Sequence, residues 1–331
     1  MKKIGVIGAG SWGTALAITA AAKGHHVSIW GRNREQARVM KECRENTRYL
    51  PGVKMPANME VAATMKDALT EKDMVLFSVP AQSFRKVFKE AVSDLEPDAL
   101  VVNVAKGIEQ GTLLRLSQVA QEIAPRCKYV VLSGPSHAEE VGKQLPTTVV
   151  VGAADPRWAK DAQDIFITDK FRVYTSDDVV GIELGGSLKN IIALGAGISD
   201  GMGYGDNAKA ALITRGLAEI NRLALALGAR TETLSGLAGV GDLIVTCTSI
   251  HSRNRRCGIS IGKGDTAKAA VEKVGMVVEG ITTTKAAYDL AQKAEIEMPV
   301  TAAIYRIING EIDAAHAESL LMGRQRKAEL G

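Results

Sequence analysis

Residues 3–13 read Lys3-Ile4-Gly5-Val6-Ile7-Gly8-Ala9-Gly10-Ser11-Trp12-Gly13. The first five form a short apolar run of strand character, and a segment with helical spacing, 14–22, follows at once. Between them the glycines fit Gly-x-Gly-x-x-Gly. Each glycine answers a separate physical demand: Gly8 permits a tight turn, Gly10 lets the backbone approach a pyrophosphate, and Gly13 allows close packing of helix on strand. The helix start would then face the phosphates with free N–H groups and the positive end of its dipole. Glycine-rich turns also merely join strands to helices. Here the pattern opens a strand–helix–strand unit that ends at Trp30, which favours dinucleotide binding. Two lysines ahead of an apolar run superficially suggest a secretion signal, but the run is short and lacks a cleavage site, so it reads as a first strand.

Outward from this turn, β-branched runs recur at 26–30, 74–79, 100–104, 129–132 and 148–151, with helical spacing at 83–93 and 113–123. Continuous apolar strands separated by helices predict an α/β fold, a Rossmann-type doubly wound parallel sheet covered on both faces. After a last strand-like run at 171–174 the character changes. Residues 179–197 are apolar and glycine-rich, and 207–227, 283–294 and 300–308 read as helices. The expectation is a dinucleotide-binding domain over 1–178 and a mostly α-helical substrate and catalytic domain over 179–331, with no linker between them.

Composition narrows the function classes. The 331 residues are 46 % hydrophobic and 24 % charged, typical of a globular chain. Aromatics make up only 4 %, so a pocket would rely on small residues and backbone. The net charge of +4 is dispersed, with no basic tract for nucleic acid. The densest cluster, Arg253, Arg255 and Arg256, suits a small anion better. The four cysteines form no Cys-x-x-Cys pair and read as free thiols, and no Cys/His spacing suggests a metal. No run approaches the roughly 18 apolar residues of a membrane span. A soluble, cytoplasmic protein is expected.

Cofactor choice turns on the loop after the second strand, Ile29-Trp30-Gly31-Arg32-Asn33-Arg34. An NAD-selective site usually places Asp or Glu there for the ribose 2′-hydroxyl. Arg32 and Arg34 instead favour a 2′-phosphate and hence NADPH over NADH, unless both are solvated loop arginines. Lys106 follows the 100–104 strand, where such sheets place their ligands. Lys189 lies in an otherwise apolar helix, where desolvation can strip its proton near neutral pH and make it a general base; the alternative is a lysine snorkelling at a helix surface. Asp242 sits in an apolar stretch and could orient an ammonium. Ser252-Arg253-Asn254 looks like a helix start offering hydroxyl, guanidinium and amide to a phosphate, or an ordinary capped helix.

The stretches GAGSWGTALA (8–17), NTRYLPG (46–52), NVAKGIE (103–109), SGPSHAEEV (133–141), GGSLKNIIALGAGI (185–198), GDLIVTCTSIHSRN (241–254) and GMVVEGITT (275–283) occur in this order. Together they make the chain resemble the bacterial NAD(P)-dependent glycerol-3-phosphate dehydrogenases along essentially its whole length. The resemblance implies interconversion of sn-glycerol 3-phosphate and dihydroxyacetone phosphate, supplying glycerol 3-phosphate for phospholipid synthesis. Lys189 is then the proton acceptor, and also touches substrate. Lys106 meets both cofactor and substrate, as does Arg253. Gly134, Ser136, Asp242, Ser252 and Asn254 are implied on the substrate; beside Gly8, Gly10 and Gly13, residues Ser11, Trp12, Arg32, Tyr49, Ala138, Val277 and Glu279 are implied on NADP(H) or NAD(H). The partner implied is a phosphorylated small molecule, with no metal, nucleic acid or membrane span expected, and a homodimer stays open. His137 and His251 adjoin these motifs but are unnecessary as acid or base beside Lys189; Tyr204 and Asp206 read as shaping a turn. Two other readings remain: a lysine-using dehydrogenase of a sugar acid or branched hydroxy acid, and a catalytically silent NAD(P)-binding sensor.

Overall fold

The computed structural model describes residues 1–325, 328 and 329; Arg326, Lys327, Leu330 and Gly331, the end of the expected second domain, lie outside the described residues. The first half forms one eight-stranded sheet: β1 (Lys3–Ile7), β2 (His26–Trp30), β3 (Met59–Val61), β4 (Met74–Phe77), β5 (Leu100–Asn103), β6 (Lys128–Ser133), β7 (Thr147–Gly152) and β8 (Phe171–Ser176). Their order is β3-β2-β1-β4-β5-β6-β7-β8. The order reverses at β1, with β2 on one side and β4 on the other, so the 8–13 turn leaves the sheet at the crevice where doubly wound folds hold ligands.

The sheet departs from an all-parallel one. β7 pairs antiparallel with β6, and β8 runs parallel to β7, so the last two strands are reversed. The segment between β6 and β7 contains only the five-residue helix Ala138–Gly142. A short connection of this kind suits an antiparallel neighbour, whereas a parallel one usually returns through a full crossover helix. An apolar run signals burial, not direction. β3 was not expected, because three residues carry no period, and the helices Arg34–Cys43 and Pro156–Phe166 were likewise missed. Leu113 has a φ of 61°, a left-handed turn that delays the expected helix at 113–123 to Leu116–Ile123.

Both sheet faces are covered. Helices Ser11–Ala22 and Pro156–Phe166 bury one face. Ala81–Ala91 and Leu116–Ile123 bury the other around Phe77, Phe84 and Phe88. Phe84 and Phe88 stack at 5.3 Å and Phe77 meets both edge-on, so three of the chain's five phenylalanines lie in one layer. The second half is helical. Its axis is Val179–Gly201, long and apolar enough by length and composition to cross a membrane, yet with 89 % of its apolar window buried inside the protein. Asp206–Ala226, Asp242–Thr248, Arg253–Gly262, Glu279–Lys293 and Pro299–Ile308 surround it.

One crossing positions the chemistry. A Cβ on Gly258 would lie 2.1 Å from the Leu194 carbonyl oxygen, and one on Gly197 would lie 2.1 Å from that of Arg255. The two helices therefore touch backbone to backbone, and Arg255 bonds Asp200 at 2.8 Å along the seam. This contact sets Arg253 and Asn254 against the helix that carries Lys189.

Candidate active site

A cavity of about 800 Å³ runs from the 8–13 turn to Lys189. At its first end, Gly8 has φ +113°, and its N–H donates to Trp30 O at 2.8 Å, closing β1 against β2. A Cβ on Gly8 would lie 2.2 Å from Ser78 O, and one on Gly13 would lie 2.1 Å from Gly8 O; turn and helix packing both require glycine. At Gly10 a Cβ would meet nothing within 4 Å. The protein itself does not need a glycine there, and the empty approach lies on the cavity wall. The helix Ser11–Ala22 begins with no side-chain cap, so its first N–H groups remain free for an anion. Trp12 Nε1 is buried without a hydrogen-bond partner among the described residues and lines the same wall.

Arg32 and Tyr49 line the outer part of this end, whereas Arg34 does not reach the cavity. Arg32 is exposed. Arg48 places its guanidinium 5.2 Å from the Tyr49 ring centroid, a cation–π contact. Ala138 begins the short helix that closes another wall, and Val277 and Glu279 contribute from the second half. Glu279 accepts from Ala81 N–H at 3.0 Å, joining the halves; burial raises its pKa, against the pull of that hydrogen bond and of Arg253.

At the far end two lysines converge on one carboxylate. Lys189 Nζ donates to Asp242 Oδ1 at 2.5 Å and to Thr246 Oγ1 at 2.6 Å. Lys106 Nζ donates to Asp242 Oδ2 at 2.6 Å and to Gly134 O at 3.2 Å. Asp242 is 1 % exposed and Lys189 6 %. Burial lowers the Lys189 pKa to about 8, against the pull of Asp242 and helped by the like charge of Lys106. Burial opposes ionisation of Asp242, but Lys106 and Lys189 outweigh it and hold its pKa below the usual carboxylate value. One buried anion thus serves two cations, and Lys189 is left able to change charge near neutrality.

The 252–254 cluster opens helix Arg253–Gly262, with Ser252 Oγ accepting from Arg255 N–H at 3.2 Å. The arginine cluster does not act as a unit: Arg255 is tied to Asp200, Arg256 is exposed, and only Arg253 lines the cavity. No hydrogen bond or ion pair engages Arg253 among the described residues. Burial lowers its pKa, opposed by Glu279 and Glu139. A desolvated guanidinium without a fixed partner is suited to an incoming anion. Asn254 is already committed on two sides: it donates to Asn190 Oδ1 at 2.9 Å and accepts from Gly280 N–H at 2.8 Å. One of its N–H bonds is left to point elsewhere.

Most sequence-selected residues therefore meet in one cavity, including Ser136 and Ser252. Gly13, Gly134 and Asp242 stand behind its surface, acting on the residues that form it. Sequence reading missed Thr246 and Asn190. Thr246 lies four residues after Asp242 on one helix face, a spacing that could have revealed it. Asn190 simply follows Lys189 and carries no signal of its own. His137 also lines the cavity; burial lowers its pKa, helped by the charge of Lys189, and its Nε2 has no partner among the described residues.

The same chain matches known proteins over nearly its full length. Residues 3–159 match the family described as NAD-dependent glycerol-3-phosphate dehydrogenase N-terminus, and residues 178–318 match the corresponding C-terminus. A protein of Pelotomaculum thermopropionicum named glycerol-3-phosphate dehydrogenase [NAD(P)+] is 52 % identical, covering 99 % of this chain and 95 % of its own. One of the same name from Bacillus subtilis is 50 % identical over 97 % of this chain and 94 % of its own. The crystal structure of glycerol-3-phosphate dehydrogenase from Coxiella burnetii superposes with a TM-score of 0.94 at 39 % identity, covering 98 % of this chain and 99 % of that one. With both halves matched and relatives at this identity aligned end to end, the chain belongs to the NAD-dependent glycerol-3-phosphate dehydrogenase family.

Proposed function

We propose that this protein interconverts sn-glycerol 3-phosphate and dihydroxyacetone phosphate, using a nicotinamide dinucleotide held at the 8–13 turn. The observation that carries the reading is Lys189: a buried amine with a pKa near 8, fixed by Asp242 and Thr246 at the end of a cavity that begins at a dinucleotide turn. The residues fit such a cofactor. The bare helix start, the open approach at Gly10 and the unpartnered Trp12 Nε1 suit its phosphates and polar groups. When bound, the cofactor supplies or accepts the hydride at C2 of the substrate.

The rest is done by side chains. Lys189 as the neutral amine takes the C2 hydroxyl proton during oxidation, and as the ammonium returns it to the ketone oxygen during reduction. Asp242 keeps Lys189 and Lys106 in register, and Lys106 sets a second positive charge beside the reacting oxygen. Arg253, with Ser252 and the remaining N–H of Asn254, receives the terminal phosphate at a helix start. Gly134 and Ser136 hold the Lys106 side of the site, where Gly134 O accepts from Lys106 and from Ser136 Oγ. Ser11, Trp12, Arg32, Tyr49, Ala138, Val277 and Glu279 form the cofactor walls. Residues 1–178 are assigned as the dinucleotide-binding domain and 179–331 as the helical substrate and catalytic domain, each lending residues to the other's ligand.

NADPH is the preferred reductant in this reading, because exposed Arg32 lines the cavity where an NAD-selective site would carry a carboxylate. Four free cysteines suit a reducing, cytoplasmic compartment, where the product would feed phospholipid synthesis. The deciding experiment is steady-state oxidation of NADPH and NADH with dihydroxyacetone phosphate, against branched 2-ketoacids as controls. Turnover confined to the ketoacids would overturn the substrate assignment.

A further inference from the structure

The stretch 46–52 contributes Tyr49 to the cavity wall, but its first residue is the more unusual one. Asn46 is 0 % exposed and uses its whole side-chain amide. Nδ2 donates to Ala9 O at 3.0 Å and to Thr14 Oγ1 at 2.8 Å. Oδ1 accepts from Gln36 Nε2 at 3.2 Å and from Tyr49 N–H at 3.4 Å. Gln36 Nε2 also reaches Ala9 O, at 2.6 Å, and Thr14 Oγ1 donates to Gly10 O at 2.8 Å. Ala9 O is thus pinned from behind by two side-chain amides, while Gly10 O also accepts the first helical bond, from Thr14 N–H at 3.0 Å.

We infer that Asn46 is the positioning residue of the dinucleotide turn. The physical link is peptide planarity. In a trans peptide the N–H points opposite to the carbonyl of the same plane. Holding Ala9 O toward Asn46 therefore turns the Gly10 N–H away from it, on a residue that lines the cavity. The same amide receives Tyr49 N–H, and Asn46 O accepts from Leu50 N–H at 2.8 Å. The pyrophosphate end and the Tyr49 wall are set in one register by a single buried side chain. Gln36, half-buried where Asn46 is fully buried, is a second prop on the same carbonyl. This inference rests on the cofactor reading of the cavity and is independent of which substrate is reduced.

The test is calorimetric titration of NADPH and NADH into the full chain, with steady-state kinetics alongside. In Asn46→Ala, Kd and KM for both dinucleotides should rise by about tenfold or more, the effect of losing one to two hydrogen bonds' worth of preorganisation. The NADPH-to-NADH ratio and the KM for dihydroxyacetone phosphate should stay within about twofold of wild type. Gln36→Leu should move the dinucleotide Kd in the same direction by a smaller factor, and it decides the matter if Asn46→Ala does not fold. A variant that melts lower but binds both dinucleotides as wild type does would make Asn46 a core amide only and overturn the inference. Wild-type dinucleotide binding without turnover of dihydroxyacetone phosphate would instead sink the substrate reading and leave this one standing.

Discussion

At the residue scale the proposed chemistry depends on how one lysine is kept between two charge states. Burial pushes Lys189 down, Asp242 pulls it back, and the balance lies at about 8. Only the neutral amine accepts a proton, so kcat for glycerol 3-phosphate oxidation should rise as pH climbs through about 8. Only the ammonium donates one, so kcat for dihydroxyacetone phosphate reduction should fall over the same interval. Asp242→Asn removes the attraction that raises the Lys189 pKa, and both midpoints should move to lower pH. Lys189→Ala should lower kcat by roughly 10²–10⁴ and flatten this limb, with dinucleotide affinity retained. A variant with wild-type kcat would remove Lys189 from the mechanism. Cofactor choice is also a residue-scale matter. Arg32→Asp replaces attraction for a 2′-phosphate by repulsion, so the NADPH-to-NADH ratio of kcat/KM should invert. Because Arg32 is exposed, solvent and salt screening make this a preference and not an exclusion. A wild type that favours NADH, or a ratio unmoved by the substitution, would show that Arg32 does not read the 2′ position.

At the element scale the site is a product of close helix packing. Gly258 lets helix Arg253–Gly262 touch the Val179–Gly201 backbone, and this contact carries Arg253 to the helix of Lys189. In Gly258→Ala the new methyl meets Leu194 O at 2.1 Å, backbone that cannot rotate away, so the helices must part. The expected cost is about 1–3 kcal/mol of stability, as for other overpacked cores. Urea denaturation should report it, accompanied by a higher KM for dihydroxyacetone phosphate as Arg253 shifts. Equal stability and KM in that variant would mean that the seam tolerates a wider spacing. None of this crossing was legible beforehand. The sequence marks 179–197 as glycine-rich and 252–254 as a helix start, but a small residue allows a close approach without naming its partner.

At the scale of the whole molecule, sheet and helices share one cavity and are tied across it. Lys106 reaches Asp242 over 136 residues of chain, and Ala81 N–H reaches Glu279 over 198. Cofactor bound in such a cavity should stabilise both halves together. At about 100 times its Kd the gain is about 2.7 kcal/mol, or roughly 4 °C in Tm for a chain of this size. Differential scanning calorimetry should show a single transition that moves as a unit with NADPH. Two transitions, with only one displaced by NADPH, would mean that the halves melt independently.

The sequence by itself determined the nucleotide turn, the alternation of strands and helices, the change to a helical second half and the family. It also singled out Lys106, Lys189, Asp242 and Arg253. These signals are local: a turn needing φ above zero, an apolar period, a charge inside an apolar window. Only the tertiary structure decided which of them meet. Lys189 and Asp242 are 53 residues apart, and nothing in either neighbourhood specifies the other. The reversal of β7 and β8, the separation of Arg253 from Arg255 and Arg256, and the buried hold of Asn46 on Ala9 have the same origin. Each depends on the relative placement of elements distant in the chain, and that placement is set by packing across the whole core, which no short window of sequence contains.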